Sequence, residues 1–248
     1  MKGRARDDAA RDFEAGRRGR EGRRREAEPD RAAPAPASAS ARPAGTVKRA
    51  AAAHRVRIIG GQWRRTPLTV VDAAGLRPTP DRVRETLFNW LGNDLSGLVC
   101  VDLYAGTGAL GLEAASRGAA RVWLAETEPR VQRELQAVIE RLKAADRVQL
   151  HRGDARGLLS RLAMQGVRAD IVFADPPFRQ GLLDAVMPAL APVLAREAWI
   201  YVETEAPLTD GQLANWCSGP AQIVRQASAG QVHYHLLRIH SEATQETT

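Results

Sequence analysis

An acid, two prolines and an aromatic residue follow one another at Asp175-Pro176-Pro177-Phe178, directly after the apolar run Ile171 to Ala174. The run is typical of a buried strand, and the prolines end it. A carboxylate and a flat ring are therefore expected at the carboxyl end of a strand, where open α/β sheets bind ligands. The Phe178 ring could stack on a planar group while Asp175 and a peptide carbonyl accept the hydrogens of its amine. The alternative interpretation is a strand that simply ends in a Pro-Pro turn.

A glycine-rich run, Gly106-Thr107-Gly108-Ala109-Leu110-Gly111, stands between a predicted strand and a predicted helix and forms a second candidate site. Its glycines would let a ligand approach the backbone closely. A nicotinamide dinucleotide is one such ligand, with Glu126 as the acceptor for its ribose hydroxyls. Asp102 argues against a dinucleotide, because a carboxylate at the end of the preceding strand would repel the diphosphate.

Three acids at the ends of successive predicted strands, Asp102, Glu126 and Asp154, fit a cofactor that carries an ammonium group and no phosphate. S-adenosylmethionine is such a cofactor: Asp102 would face its ammonium group, Glu126 its ribose and Asp154 its adenine amine. Each acid alone could instead cap a helix. Together with the glycines and the amine-holding motif at Asp175, they predict methyl transfer to a planar exocyclic nitrogen. No metal is expected, because the histidines and cysteines lack metal-ligand spacing.

Strands and helices alternate from residue 98 onward and would bring these side chains together. Repeated βα units predict an α/β fold with a parallel sheet covered on both faces, and a closing hairpin would add an antiparallel strand. In this order the fourth strand lies beside the first, so the amine-holding motif would face the glycine run. The predicted strands are Val99–Leu103, Arg121–Ala125, Val148–Leu150, Ile171–Ala174, Trp199–Glu203, Ala221–Gln226 and Val232–Ile239. The predicted helices are Ala109–Arg117, Arg130–Lys143, Arg156–Met164 and Gly181–Leu194.

The segment before the sheet, residues 54–97, is predicted to form a small basic hairpin and a helix. Arg55 to Ile59 alternates like a strand, and Gly60-Gly61 favours a turn. Thr79 has the position of an N-cap for a helix from Pro80 to Leu91. A basic hairpin with an aromatic ring is a candidate element for contacts with phosphates and bases, although it could equally be a solvated hairpin. The candidate RNA contacts are Arg57, Trp63, Arg64, Arg77 and Arg82.

Positive charge is concentrated at the front of the chain. Residues 1–50 hold 14 Lys and Arg against 8 Asp and Glu, whereas residues 91–248 hold 15 against 18. Residues 1–53 are rich in Arg, Ala, Gly and Pro, so we expect a disordered basic tail that cannot bury enough apolar surface to fold. Its arginine clusters could add affinity for RNA, or they could simply be solvated. Residues 98–241 would form the cofactor-binding catalytic domain, and residues 242–248 a disordered C-terminal tail.

The chain lacks the sequence features of a membrane or secreted protein. No apolar run approaches the roughly 18 residues that span a bilayer, and no apolar segment follows the basic N-terminus. Cys100 and Cys217 are expected to be thiols rather than a disulfide. We therefore expect a cytoplasmic monomer with no membrane partner.

Beyond these single motifs, the chain from about Arg55 to Ile239 resembles the bacterial RsmD-type methyltransferases. That family methylates the N2 amine of guanine 966 in 16S ribosomal RNA. The resemblance implies a Rossmann-like class I methyltransferase with a mostly parallel seven-stranded sheet. The motifs that carry it are Arg57-Ile58-Ile59-Gly60-Gly61-Gln62-Trp63-Arg64, Leu76-Arg77-Pro78-Thr79, the run from Asp81 to Leu91, Gly108-Ala109-Leu110-Gly111-Leu112-Glu113-Ala114, Asp175-Pro176-Pro177-Phe178, Tyr201-Val202-Glu203 and Ala229-Gly230-Gln231-Val232.

The resemblance also implies roles for individual residues. Asp175 to Phe178 would hold the guanine, and the region from Arg57 to Arg84 would meet RNA of the small ribosomal subunit. Glu128 stands where the family pattern leads us to expect Asp, so either Glu126 or Glu128 could take the ribose. The implied contacts for S-adenosylmethionine are Asp102, Tyr104, Ala105, Gly106, Gly108, Glu126, Asp154 and Ala155.

Three other functions are compatible with parts of this pattern. A DNA adenine-N6 methyltransferase would offer an equivalent amine to Asp175, but no separate DNA-reading domain is evident. Methylation of a protein glutamine usually goes with Asn at that position. A non-catalytic RNA-binding or assembly protein could retain the fold without turnover, although the intact glycines and the intact Asp-Pro-Pro-Phe motif argue against this.

Overall fold

The computed structural model describes residues 56–70, 79–178, 180–217 and 219–240. The tails predicted at residues 1–53 and 242–248, and the candidate contact Arg77, lie outside the described residues. The strands are β1 (Val56–Arg57), β2 (Pro67–Leu68), β3 (Val99–Asp102), β4 (Arg121–Glu126), β5 (Val148–Arg152), β6 (Ala169–Ala174), β7 (Leu194–Thr204), β8 (Ala221–Ala229) and β9 (Val232–His240). The α-helices are α1 (Asp81–Leu91), α2 (Gly111–Ser116), α3 (Pro129–Arg141), α4 (Ala155–Met164), α5 (Leu182–Val186) and α6 (Asp210–Trp216).

Seven of these strands form one sheet in the order β5-β4-β3-β6-β7-β9-β8. The strands from β3 to β7 are parallel, and β9 lies antiparallel between β7 and β8. The strand order reverses between β3 and β6, and a crevice for ligands is expected at such a point. The predicted fold class, a Rossmann-like sheet with an antiparallel closing strand, is confirmed.

Apolar side chains cover both faces of the sheet because the central strands alternate between two layers of helices. On one face, Cys100 of β3 and Phe173 of β6 pack with residues of α1, α2 and α3. On the other face, Val101 and Val172 pack with residues of α4 and α6. Cys100 is fully buried and carries a free thiol, whose pKa is raised by burial.

The hairpin of β1 and β2 docks on α2 through a buried acid. The amides of Ile59 and Gly60 donate to the two carboxylate oxygens of Glu113 at 2.6 and 2.7 Å. Arg117 forms an ion pair with Glu113 at 2.8 Å, and the buried Arg84 lies 3.7 Å from it. Because the carboxylate has both backbone donors and cationic partners, these interactions offset the free-energy cost of removing it from water. The hairpin therefore belongs to the same core as the sheet.

The turn at Gly61 makes this docking close. Gly61 has φ of 72°, and a Cβ added there would lie 1.9 Å from the carbonyl oxygen of Ser116. The neighbouring Gln62 amide donates to the same carbonyl at 2.7 Å, and the Trp63 amide donates to the Ser116 hydroxyl at 2.9 Å. Only glycine combines this conformation with this approach.

One predicted helix is wrong in extent. The segment predicted as a single helix from Gly181 to Leu194 is the short α5 followed by a 3₁₀ helix, Met187–Val193, and Leu194 already begins β7. Pro188 and Pro192 lack the backbone N–H that an α-helix needs, which explains the tighter winding. In the part of the chain that the structure describes, no helix is both long and apolar enough to cross a bilayer.

Candidate active site

A cavity of about 550 Å³ opens at the carboxyl ends of the parallel strands. It is lined by the loop after β3, by the ends of β4, β5 and β7, and by the segment after β6. Ala229 and Val232, at the turn between β8 and β9, also line it. The predicted site residues in its lining are Asp102, Tyr104, Ala105, Gly106, Glu126, Asp154, Ala155, Asp175, Pro176, Pro177 and Phe178.

Asp102 lies beneath the glycine loop and holds it in place. Its Oδ2 accepts the Gly111 amide at 3.0 Å, and its Oδ1 accepts the Tyr104 amide at 3.4 Å. The residue is only 1% exposed, and this burial raises the pKa of Asp102 to about 7, against the opposing effect of the two amide bonds. A cationic group in the cavity would favour the ionised form. Asp102 thus shapes the loop and adds negative charge below it.

Gly108 does not line the cavity but supports the loop from behind. Its φ is 78°, and an added Cβ would lie 2.7 Å from the side chains of Leu112 and Leu135. The glycine therefore permits close packing of the loop on α2 and α3.

Glu126 and Glu128 differ in what their carboxylates do. Glu126 ends β4, and its Oε2 accepts the Gly106 amide at 2.9 Å, so it ties β4 to the glycine loop. Its Oε1 accepts the amides of Thr127 and Glu128 at 2.8 Å each. Glu128 is instead the N-cap of α3, where its Oε1 accepts the Arg130 amide at 3.3 Å.

Asp154 follows β5 and is the N-cap of α4. Its Oδ1 accepts the Gly157 amide at 2.7 Å, while the residue remains exposed at the cavity. The adjacent Ala155 is buried and lines the cavity floor. The capping alternative that the sequence allowed for Asp102, Glu126 and Asp154 is therefore met by Asp154.

Asp175 lies directly after β6 and is held from the N-terminal segment. The Thr79 hydroxyl donates to Asp175 Oδ2 at 2.9 Å. The prediction that Thr79 caps α1 is wrong, since the cap position is Pro80 and no side chain caps this helix. Burial, followed by the nearby negative charge of Glu203, raises the pKa of Asp175 well above its ordinary value.

The proline pair turns the chain so that Phe178 lies at the cavity wall. Pro176 is buried, whereas Pro177 and Phe178 are half-buried. Asp175, both prolines and Phe178 line one side of the cavity that the glycine loop lines on another. The acid and the ring can thus reach a planar group placed beside the loop.

The candidate RNA residues lie away from this cavity and differ in exposure. Arg64 and Arg82 are exposed, and Arg57 is exposed but paired with Asp81 at 3.1 Å. Trp63 is only 8% exposed, and the Arg147 guanidinium lies 4.7 Å from its ring centroid. The predicted base contact does not fit this burial, so Trp63 acts in packing.

Arg84 is also removed from the surface that could meet RNA. Its side chain is fully buried and its guanidinium donates to Asp81 at 2.6 Å and to the carbonyl of Arg57 at 2.8 Å. Desolvation by this burial lowers the pKa of Arg84, against the opposing effect of Asp81 and Glu113. The RNA contact implied for this position is therefore corrected to a structural role.

Two cavity residues were not assigned a site role from the sequence. Thr79 was assigned to a helix cap, and its bond to Asp175 spans 96 positions. Glu203 is the penultimate residue of β7, is 5% exposed and lines the cavity. The signal for Glu203 was available, because it is an acid at the end of a predicted strand, as are Asp102 and Glu126.

The sheet order, the glycine loop and the acids at the strand ends define a Rossmann-like class I methyltransferase. A family model described as "Conserved hypothetical protein 95" matches residues 56–238, which is more than half of the chain. The chain belongs to this family, the RsmD-type methyltransferases, as its sequence motifs predicted.

Individual relatives agree with this assignment. The chain is 46% identical over 192 residues to "Ribosomal RNA small subunit methyltransferase D" of Escherichia coli strain K12, which covers 73% of this chain and 89% of the relative. It is 37% identical over 186 residues to the protein of the same name from Haemophilus influenzae, covering 73% and 92%. The solved structure of the Escherichia coli protein yhhF superposes with a TM-score of 0.65 at 42% identity, covering 76% of this chain and 99% of that one.

Proposed function

We propose that this protein transfers a methyl group from S-adenosylmethionine to the exocyclic N2 of a guanine in the RNA of the small ribosomal subunit. The proposal depends chiefly on one observation: the glycine loop and the Asp175 to Phe178 segment line the same cavity. The names of the relatives support RNA of the small subunit as the substrate.

The cavity's polar groups match the parts of S-adenosylmethionine. Asp102 gives the loop a negative charge suited to the ammonium group, and Glu126 is placed to accept from the ribose hydroxyls. Both Glu126 and Glu128 line the cavity, and we assign the ribose to Glu126 because its bond to the Gly106 amide places it beside the glycine loop. Asp154 would accept from the adenine amine through the carboxylate oxygen that does not cap α4.

The other side of the cavity suits a flipped base. Phe178 would stack on the ring, while Asp175 and the Pro176 carbonyl would accept the two N2 hydrogens. These bonds direct the nitrogen lone pair toward the cofactor side. When bound, S-adenosylmethionine would supply an electrophilic methyl group on its sulfonium.

The protein's main contribution is to position the reacting groups. Holding two reactants in line is worth up to about 7 to 11 kcal/mol in well-oriented systems. As the N2–methyl bond forms and the sulfur–methyl bond breaks, the attacking nitrogen becomes acidic and loses a proton to Asp175 or water. The raised pKa of Asp175 makes it a better acceptor for that proton than an ordinary aspartate.

Exposed arginines outside the cavity would bind the RNA backbone. Arg82 stands at the start of α1, the helix that follows the cavity residues Thr79 and Pro80, and Arg57 and Arg64 belong to the adjacent hairpin. Such contacts position a substrate without reading its sequence. The basic segment of residues 1–53 would add affinity that falls with salt.

The test is labelled methyl transfer offered in parallel to 16S RNA, small-subunit particles, DNA and protein, followed by nucleoside analysis. We expect N2-methylguanosine from 16S RNA or the particle. Label in N6-methyladenine of DNA, in protein, or in no product at all would refute the proposal. A comparison of naked RNA with the particle also identifies the form of the substrate.

A further inference from the structure

Glu203 lies beside Asp175 at the end of the neighbouring strand. Ala174 of β6 pairs in register with Val202 of β7, so Asp175 and Glu203 occupy the next positions along two parallel strands. Both residues line the cavity, and the nearby Glu203 contributes to the raised pKa of Asp175. The target-base side of the cavity therefore contains two adjacent carboxyl groups.

Each of these carboxyl groups is held from behind by a hydroxyl. The buried Tyr201 donates to Glu203 Oε1 at 2.7 Å, as Thr79 donates to Asp175 Oδ2 at 2.9 Å. Tyr201 lies against Tyr234, with ring centroids 6.3 Å apart, and Tyr234 stacks on Trp90 at 5.4 Å. Burial raises the pKa of Tyr201 well above its ordinary value, so its hydroxyl remains a donor. The position of Glu203 is thus fixed.

Two adjacent acceptors match the edge of guanine and not that of adenine. Guanine presents N1–H beside its N2 amine, so it offers donors at two neighbouring positions. Adenine presents an amine beside an unprotonated N1, which is an acceptor. A carboxylate opposite that N1 would leave two acceptors facing each other, and unpaired buried polar groups are costly.

We propose that Glu203 accepts the N1–H of the target guanine while Asp175 accepts from its N2 amine, so that Glu203 selects guanine over adenine. This inference rests on the proposed function, since it takes guanine N2 as the methyl acceptor. In this arrangement the N1–H and the N2 amine of the base face the two neighbouring carboxyl groups.

The test uses 2-aminopurine, which keeps the amine at position 2 but has an unprotonated N1 and lacks O6, so the variant described below is needed to assign the effect to N1. Small subunits are assembled on 16S RNA that carries either guanine or 2-aminopurine at the target position, and single-turnover methyl transfer is measured. The wild-type protein should methylate 2-aminopurine at least about 50-fold more slowly than guanine, since a site built to accept a hydrogen bond rejects an analogue that lacks the donor. Equal rates would overturn the inference.

The matched variant is Glu203→Gln, which keeps the size of the side chain and places an amide N–H opposite N1. The variant should methylate guanine more slowly and 2-aminopurine faster than the wild type does. The ratio of the rate on guanine to the rate on 2-aminopurine should therefore fall by at least about tenfold. Glu205→Gln, an exposed neighbour outside the cavity lining, should leave the preference unchanged. An unchanged preference in Glu203→Gln, with an active wild type, would overturn this inference alone.

The outcomes separate this inference from the proposed function. If the wild-type protein does not methylate guanine N2, the proposed function fails and the inference fails with it. If guanine N2 is methylated but N1 does not matter, only the role of Glu203 fails. The comparison of the two bases by the wild-type protein does not require any variant to fold.

Discussion

The Thr79 hydroxyl donates a hydrogen bond of 2.9 Å to Asp175 Oδ2, joining the segment before α1 to the residue that follows β6. The N-terminal segment is therefore part of the candidate active site, although its sequence suggests a separate RNA-contacting element. The hairpin amides of Ile59 and Gly60 donate hydrogen bonds to Glu113 of α2 and so also join the N-terminal segment to the sheet domain.

Replacing Asp175 should separate cofactor binding from methyl transfer. Asp175→Asn keeps the size of the side chain but offers an amide N–H where an acceptor is needed. We expect the single-turnover rate to fall by about 100-fold or more, the usual range for a positioned acid or base. Affinity for S-adenosylmethionine, measured by calorimetry, should change less than about twofold, because the contacts that we assign to the cofactor are elsewhere. Turnover close to that of the wild type would remove Asp175 from the reaction.

Thr79→Val should slow methyl transfer by a smaller factor. The substitution keeps the β-branched shape and removes the one hydroxyl that donates to Asp175. A hydrogen bond to a charged group contributes about 1.5–3 kcal/mol, and since only part of this acts on the transition state we expect about a tenfold loss of rate. Thr79→Ser, which retains the donor, is the control and should stay near the wild-type rate. Equal rates for the two variants would count against this role.

Affinity for S-adenosylmethionine should depend on pH through Asp102. Burial raises the pKa of Asp102 to about 7, so the free protein holds a neutral carboxyl below that pH. A cationic cofactor favours the ionised form, and affinity should therefore rise with pH, by up to about tenfold per unit, until it levels off above pH 7. The measurement is calorimetry on either side of pH 7.

The control for this pH effect is Asp102→Asn, which cannot ionise. The amine of the cofactor changes its protonation equally in both experiments. The difference between the two proteins in the pH dependence of affinity therefore reports on Asp102. We expect a flatter profile and weaker binding above pH 7 in the variant. Parallel profiles for the two proteins would show that Asp102 does not sense the cofactor's charge.

The two neighbouring glutamates should differ in their effect on the cofactor. Glu126→Gln should weaken S-adenosylmethionine binding by about tenfold or more, because a carboxylate that accepts a hydroxyl bond is replaced by a weaker neutral acceptor. Glu128→Gln should change affinity less than about twofold and instead cost about 0.3–1 kcal/mol of stability, since it keeps the capping oxygen but removes the negative charge at the start of α3. Calorimetry and thermal unfolding distinguish the two effects. If Glu128→Gln instead weakens S-adenosylmethionine binding more than Glu126→Gln does, the ribose is bound by Glu128.

Gly61→Ala should reduce the free energy of unfolding by more than the cost of placing alanine at a positive φ. A Cβ at Gly61 would lie 1.9 Å from the Ser116 carbonyl oxygen, so the hairpin must move away from α2. Gly166→Ala is the matched control, because Gly166 has φ of 64° and no atom within 4 Å of an added Cβ. We expect a cost of about 1 kcal/mol at Gly166 and of about 3 kcal/mol or more at Gly61 in denaturant unfolding. Equal costs would contradict the docking of the hairpin.

Most of the fold could be predicted because local sequence patterns indicate its strands and helices. The apolar runs from Val99 and from Ile171 are long enough to show buried strands, and the alternation with helices leaves few sheet orders. The predicted strands β3, β4 and β6 agree with the structure to within two residues at each end. The segment after Gly181 was predicted less well. Its apolar spacing indicates one α-helix, but Pro188 and Pro192 lack the backbone N–H groups that an α-helix needs.

Local sequence also indicated the acids and glycines of the candidate site, because a residue at the end of a parallel strand must face the crevice whatever its partners are. It could not tell which partner each polar group has. Thr79 could cap a helix or bind a distant acid, and Trp63 could face RNA or the core. The sequence shows Glu203 as an acid near the end of a strand but does not show which side chain lies beside it. Only the packing of segments far apart in the chain placed Thr79 on Asp175, buried Trp63 beneath Arg147 and set Glu203 beside Asp175, because hydrogen bonds and burial depend on distances in space that sequence spacing does not contain.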